Sequence, residues 1–468
     1  MFQIWNGIMH KETIMNNKSN YNELLITKKD FGKSFTWGVS ASAFQTEGAW
    51  DTDDKGMSVW DVFTRNNRKV KDYHKAKVAT DFYNQYKNDI ALIRNMNFSA
   101  FRFSVSWPRI IPGGTGKPSP KGISFYHRII DSCLKNGIEP WLTLYHWDLP
   151  QVLEEKGGWS NREITGWFES YTDICTRAFG DKIKNWIILN EPMSFTGLGY
   201  FSGYHAPGRK GFRNFLPAAH HAALCQSNGG RIVRQNVKDS YIGTTFSMAD
   251  ISPVNQEEKN IGAARRLDAV FNRFFIEPAL GLGYPLDALP SLKKIEKYMK
   301  QDDDKNLVFD FDFIGIQYFF RIVTAFSFLP PILFAKEIPA IKRNVETNAM
   351  GMEVYQKGLY HVLKKIQDYN QIKTIVITES GICYQDKLEN GRVHDHQRLK
   401  YLQDTLRYTL KAMKEGVNIS GYFVWSLTDN FEWKEGLKPR FGLVYVDYQN
   451  LKRVIKDSGL WFREFLEK

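Results

Sequence analysis

Two glutamates stand where an apolar run stops. The run WIIL (186–189) leads into Asn190, Glu191 and Pro192, and IVIT (375–378) leads into Glu379, Ser380 and Gly381. A carboxylate that follows a buried run is partly desolvated, and for a single one the ordinary role is a salt-bridge partner. Two of them on different strands, one beside an amide, suit paired chemistry. Across a sugar ring, one carboxyl protonates the leaving oxygen while the other attacks the ring carbon or activates water. Two more runs stop at groups of the same kind. LTLY (142–145) leads into His146, Trp147 and Asp148, and GYFV (421–424) leads into Trp425, Ser426 and Leu427.

Strands must carry these groups to one place. Short apolar runs fall at 36–40, 100–104, 140–145, 185–190, 241–246, 313–317, 374–378 and 421–425. Amphipathic helical patterns lie between them, as at 79–96, 124–136, 162–179 and 395–415. Eight strands separated by helices point to the α/β class, as one (β/α)8 TIM barrel with its active site at the C-terminal ends of the strands. A doubly wound open sheet is the alternative, but the Gly-rich phosphate turn it usually carries after its first strand is missing.

Composition narrows the class further. The 468 residues are 43% hydrophobic and 24% charged, which excludes a wholly disordered chain. No repeat, low-complexity tract or linker divides them, so one large domain is expected. No uninterrupted apolar run reaches the ~18 residues of a membrane span. The nearest, 319–335, is broken by Arg321, Pro330 and Pro331. No stable membrane insertion is expected, and the polar first twenty or so residues lack the apolar core of a signal peptide. Cys133, Cys175, Cys225 and Cys383 are scattered and have no metal-ligand spacing, which suits a reducing cytoplasm. The net charge of +12 is spread along the chain beside acids, and no nucleic-acid motif accompanies it.

The motifs together resemble the β-glucosidases of glycoside hydrolase family 1. The resemblance covers 31–461. It rests on FTWGVSASAFQTEG (35–48), RFSVSW (102–107), YHWDLP (145–150), NEP (190–192), TESG (378–381), WSL (425–427) and NFEW (430–433), all in family order. It implies a retaining β-glycosidase acting on terminal β-D-glucosyl residues, with galactosyl and fucosyl residues left open, and with no metal or cofactor. Glu191 would be the acid/base and Glu379 the nucleophile. Gln45, His146, Trp147, Asn190, Trp425, Glu432 and Trp433 would bind the sugar, with Trp425 as the platform under the ring. Arg102 lies in an apolar run, where an unpaired guanidinium would be costly. Its expected partner is Glu379, whose ionised form it favours; an ion pair of purely structural use is the alternative. The barrel would occupy 31–468, with 1–30 as an N-terminal extension.

The sequence departs from the family in three places. The sixth strand ends Gln317-Tyr318-Phe319 where Asn-Tyr-Tyr is common, so the hydroxyl that normally donates to the nucleophile is absent. Gln317 and Tyr318 remain as supporting groups, although adjacent strand residues face opposite ways. Ser380 and Ile188 also replace common residues, an Asn and a Thr. The tract 319–335 is expected at the rim as a lid or an apolar aglycone site, or as a loop packed on the barrel. Finally, Glu432 and Phe441 stand where phospho-β-glycosidases bind phosphate, which favours an unphosphorylated sugar. Two other readings compete with hydrolysis: a sugar-binding scaffold that has lost catalysis, and a transglycosylase. The presence of both glutamates argues against the first. The natural aglycone and the oligomeric state stay open.

Overall fold

The computed structural model describes residues 26–66, 69–329 and 333–467. Each of eight strands is followed by a principal helix. In chain order these are β1 (Thr36–Ser40), α1 (Phe82–Asn95), β2 (Ala100–Ser104), α2 (Pro120–Lys135), β3 (Glu139–Tyr145), α3 (Ile164–Phe179), β4 (Asn185–Asn190) and α4 (Phe212–Asn236). The second half continues with β5 (Tyr241–Pro253), α5 (Glu258–Asp268), β6 (Phe313–Phe326), α6 (Lys357–Gln367), β7 (Ile375–Ser380), α7 (His396–Lys414), β8 (Ile419–Trp425) and α8 (Asp457–Glu467). Neighbouring strands run parallel in the order β5-β4-β3-β2-β1-β8-β7-β6, and β5 pairs with β6 to close the cylinder. The barrel expected from the sequence is the fold.

The residues explain the layers. β2, β4 and β7 are buried throughout, as parallel strands covered by helices must be. α2 shows the complementary pattern. Phe125, Tyr126, Ile129, Ile130 and Cys133 form one buried face, and Ser119 caps the helix by accepting from the Gly122 amide at 3.2 Å. Trp141 plugs the barrel floor, 5.0 Å from the Phe423 ring and 5.4 Å from Phe313, with Ala100, Ile187 and Val376 around them. Gly38 is required there, because a Cβ would lie 2.2 Å from the Phe423 ring.

Two strands run longer than their apolar patterns suggest. β5 and β6 continue to Pro253 and Phe326, paired from Asp250↔Arg321 to Pro253↔Thr324. The short strand Ala335–Glu337 then adds antiparallel to β6. Within the tract 319–335, residues 319–326 and 335 are therefore strand, and the ladder satisfies backbone groups that a loop would leave to solvent. Phe319, Phe320 and Leu333 of this tract line the central cavity, Phe328 and Leu329 are exposed, and 330–332 lie outside the described residues. Most of the expected extension 1–30 also lies outside them. Its last residues enter a helical turn, Lys28–Phe31, from which Lys28 Nζ donates to the Leu466 carbonyl at 2.8 Å. Among the described residues no helix is long and apolar enough to cross a membrane.

Gly38→Ala should destabilise the barrel by about 1–3 kcal/mol, because the Phe423 ring cannot move without displacing Trp141. Denaturant unfolding of wild type and variant measures it.

Candidate active site

The site is made by irregularities in the sheet. Between β6 and β7 the register passes from Ile316↔Ile377 to Gln317↔Glu379 and skips Thr378. This bulge turns Glu379 inward beside Gln317. Between β4 and β5 the pairing passes from Ile187↔Gly243 to Asn190↔Thr245, with one extra residue on β4, and Asn190 turns inward in the same way. Glu191 follows with a left-handed backbone, φ 48° and ψ 67°, a conformation that costs an L-residue on the order of 1 kcal/mol and clusters at functional sites.

Arg102 ties these pieces together. Its guanidinium is 1% exposed and donates to Glu379 and to the Asn190 side-chain oxygen. Its Nε donates to Thr143 Oγ1 at 3.1 Å. The Asn190 oxygen also accepts from Gln317 Nε2 at 2.8 Å and Thr245 Oγ1 at 3.2 Å, and its amide nitrogen lies 3.1 Å from His146 Nε2. Three strands and the residue that follows β3 thereby fix one amide.

Aromatic rings build the rest of the rim. The His146 ring lies between Trp425 and Trp433, at 5.9 Å and 25° from each. Trp147 stacks on Trp433 at 4.5 Å and donates its indole N–H to the Asn190 carbonyl at 2.9 Å. It is thus a wall, with its one donor already used. Gln45 accepts from Ser42 Oγ at 2.7 Å and donates to the Phe431 carbonyl at 3.0 Å, which sets its amide beside Glu432. Among the described residues, His146 Nδ1 and Gln317 Oε1 are buried without a partner.

Three carboxyls share this dry space. Burial pushes Glu191 up to about 7, against hydrogen bonds from Ser194 and Ser247. Burial pushes Glu432 up to about 8, and the charges of Glu379 and Glu191 add to it. Burial raises Glu379 as well; Arg102 opposes the rise and the Glu191 charge reinforces it. Such groups titrate as a set. Glu379, pushed up to about 8, alone of the three is hydrogen-bonded to the guanidinium, which favours its ionised form. His146 is held neutral by burial and by Arg102. One carboxylate with a cation at its side, facing one protonated carboxyl, can act as a nucleophile and an acid.

A cavity of about 830 Å³ opens above these groups. His146, Trp147, Asn190, Glu191, Glu379, Trp425, Glu432 and Trp433 line it, with Gln45, Arg102 and Gln317 directly beneath. Tyr318 does not join them. Its hydroxyl donates to the Tyr355 carbonyl at 2.6 Å on the helical side of β6, where strand alternation sends it. Ile188 also faces outward, against α4 at Gly229. Phe319 lines the cavity and packs edge-on against Phe441 at 6.0 Å, so two of the departures from the family pattern touch each other. Arg440 pairs with buried Asp429, Lys456 sits between Asp386 and Asp429, and Ser458 donates to Asp395. These groups brace the segment carrying Glu432 and Trp433 without lining the cavity. His394, His396 and Asp457 cluster at the surface, also away from its lining. Sequence reading missed most of the far walls, among them Leu198, Phe215, Leu292 and Met350, which belong to no polar motif. The usable signal was proximity in sequence to Glu191 and to the end of β6.

Comparison with known proteins agrees with this geometry. The profile of Glycosyl hydrolase family 1 matches residues 27–468. "Beta-glucosidase A" of Thermotoga maritima is 40% identical over 437 residues, covering 93% of this chain and 97% of that protein. A "1,4-beta-D-glucan glucohydrolase" of Thermotoga neapolitana is 38% identical, over 94% of this chain and 98% of its own. A solved Thermotoga maritima family 1 glycoside hydrolase, complexed with a cyclophellitol analogue transition state mimic, superposes with a TM-score of 0.90 at 39% identity, covering 93% of this chain and 98% of that one. Another structure of a β-glucosidase from that organism, with the same score and coverage, holds deoxynojirimycin.

Replacing Arg102 tests the electrostatics directly. Arg102→Met should raise the pKa of the Glu379 carboxyl by roughly 1–3, the effect of withdrawing an adjacent cation. Titration of 13C-labelled glutamate by NMR, assigned with Glu379→Gln, reads the change.

Proposed function

Because the chain belongs to glycosyl hydrolase family 1 and is a glycoside hydrolase, we propose that it is a retaining β-glucosidase acting on terminal, unphosphorylated β-D-glucosyl residues. The observation that carries this reading is the pair Glu191 and Glu379 on one cavity wall, with Arg102 bonded to Glu379 and to the amide next to Glu191. The names of the relatives and the sugar-like inhibitors in their structures support it.

The Glu379 carboxylate attacks the anomeric carbon while Glu191 gives its proton to the glycosidic oxygen, and the aglycone leaves as an alcohol. The ester on Glu379 removes one negative charge from the site, which lowers the pKa of Glu191. Glu191 can then take a proton from water as that water attacks, releasing β-glucose and restoring both groups. Asn190 holds the 2-hydroxyl. Gln45, His146 and Glu432 bind the remaining hydroxyls, and Trp425 carries the ring, with Trp433 and Trp147 behind it. The catalytic unit is 31–468, with 1–30 as an extension. Four buried, unpaired cysteines support a reducing, cytoplasmic setting.

Hydrolysis of 4-nitrophenyl β-D-glucoside tests the assignment. Glu379→Gln should lose activity by at least about a thousandfold. Glu191→Gln should stall at deglycosylation and be rescued by azide, giving β-glucosyl azide. Release of α-glucose as the first product would overturn the retaining mechanism, and product analysis with added alcohols would reveal transglycosylation. β-D-Galactosides and β-D-fucosides are the next substrates to compare.

Because Glu191 must be protonated to act as the acid, kcat/KM should fall above about pH 7. That alkaline limb should disappear in Glu191→Gln. Phe319→Tyr restores a hydroxyl on the cavity wall beside Glu379 and should raise kcat/KM by roughly ten- to a hundredfold, the effect of one hydrogen bond to a charged group.

A further inference from the structure

The cavity has two unlike halves. The hydroxyl-binding groups come from the ends of β1, β3, β4 and β8, whereas the other walls are built after β4, β5 and β6 and are nearly all hydrocarbon. Leu198, Phe215, Val270, Leu292, Phe320 and Leu333 represent them. The acid that protonates the leaving oxygen fixes where the aglycone begins. Chain that directly follows Glu191, through Met193, Leu198 and Phe201, forms the wall beside that point. An aglycone leaving Glu191 therefore enters the apolar half.

The exposed Lys294 also lines the cavity; most of the other polar side chains on these walls are occupied by the protein. Ser194 and Ser247 are directed at Glu191, whose pKa they lower, and Ser202 donates to the Leu198 carbonyl at 3.1 Å. Glu435 accepts from Tyr204 at 2.9 Å and is paired with Lys71, while the Lys434 ammonium lies 3.7 Å from the centre of the Tyr204 ring. Among the described residues, Ser291 Oγ and His205 Nδ1 are the buried side-chain atoms of these walls without a partner. A second sugar would bring several hydroxyls here. Each one desolvated without a partner weakens binding by roughly tenfold or more. A hydrocarbon would lose nothing of that kind. The whole cavity, at about 830 Å³, is near the upper end of the ~300–1,000 Å³ of drug-sized sites, so room remains beyond one glucosyl ring.

We propose that the apolar half is an aglycone chamber for a long or polycyclic hydrocarbon alcohol, so that the preferred substrates are lipid-like or terpenoid β-glucosides and not β-linked oligosaccharides. The proposal rests on the β-glucosidase reading above and names the substrate class of that same site.

Glucose release from methyl, butyl, hexyl and octyl β-D-glucosides and from cellobiose, all below micelle-forming concentrations, tests it on the wild-type chain. A fully buried methylene contributes up to about fourfold. kcat/KM should rise at least tenfold from butyl to octyl, and octyl glucoside should exceed cellobiose by at least tenfold. In Leu292→Gln and Phe320→Gln the octyl-to-methyl ratio, taken within each variant, should fall several-fold. A terpenyl glucoside turned over better than the octyl compound would assign the chamber to polycyclic rather than linear aglycones. A flat or falling alkyl series, or cellobiose as the best substrate, overturns the chamber and leaves the glucosidase reading intact. Failure to hydrolyse any β-glucoside overturns the glucosidase reading instead. Calorimetry with N-butyl and N-octyl deoxynojirimycin then decides the chamber: tenfold tighter binding of the octyl compound supports it, and equal affinity overturns it.

Discussion

A buried guanidinium organises this molecule's chemistry. Arg102 is surrounded by barrel strands and has no water to solvate it, so it must be met by fixed acceptors. Glu379, Asn190 and Thr143 come from three different strands and are held in place by meeting it. The same contact favours the ionised form of Glu379 within a crowded carboxyl set. Removing a partner from such a buried pair leaves an uncompensated charge, a loss of about 3–5 kcal/mol.

The rim around that contact is stiffened by a second ionic layer. The segment after β8 carries Glu432 and Trp433 into the cavity, and Asp429 within it is clasped by Arg440 and Lys456. Arg398, which is paired with Asp386 and Asp395, extends the clasp to α7 and to the segment after β7. Burial would raise the Asp429 carboxyl, but the surrounding cations hold it below the ordinary range. The tryptophan stack on the opposite side needs no charge. Trp433 packs parallel to Phe44 at 4° and against Trp60 at 4.7 Å, so a ring that lines the cavity is fixed by rings that do not. The polar half of the cavity is therefore rigid from two directions. The apolar half is formed by segments that rise above the barrel, where the extended β5–β6 pair gives its far wall a backbone ladder.

Much of this was legible in the chain. Apolar runs spaced by amphipathic helical patterns can bury both faces only as a helix-covered parallel sheet; eight such runs without a Gly-rich phosphate turn pointed to the barrel, and the β5–β6 pairing closed it. Runs that stop at a carboxylate, an imidazole or an indole must deliver those groups to one rim, and that determined Glu191, Glu379, His146 and Trp425. Pairing of Arg102 with Glu379 followed from the cost of a lone buried charge. Tertiary structure decided the rest. Strict alternation cannot say that a bulge skips Thr378 and turns Glu379 inward, because a bulge belongs to two strands and appears in neither alone. It cannot say that β6 runs on to Phe326, because the partner that satisfies its backbone is a stretch of β5 some seventy residues earlier in the chain. Nor does any local pattern mark Leu198, Val270 and Leu333 as walls of one chamber. Hydrophobic attraction has no direction and no sequence signature beyond apolarity, so only the closed fold shows which apolar residues meet each other and which meet a ligand.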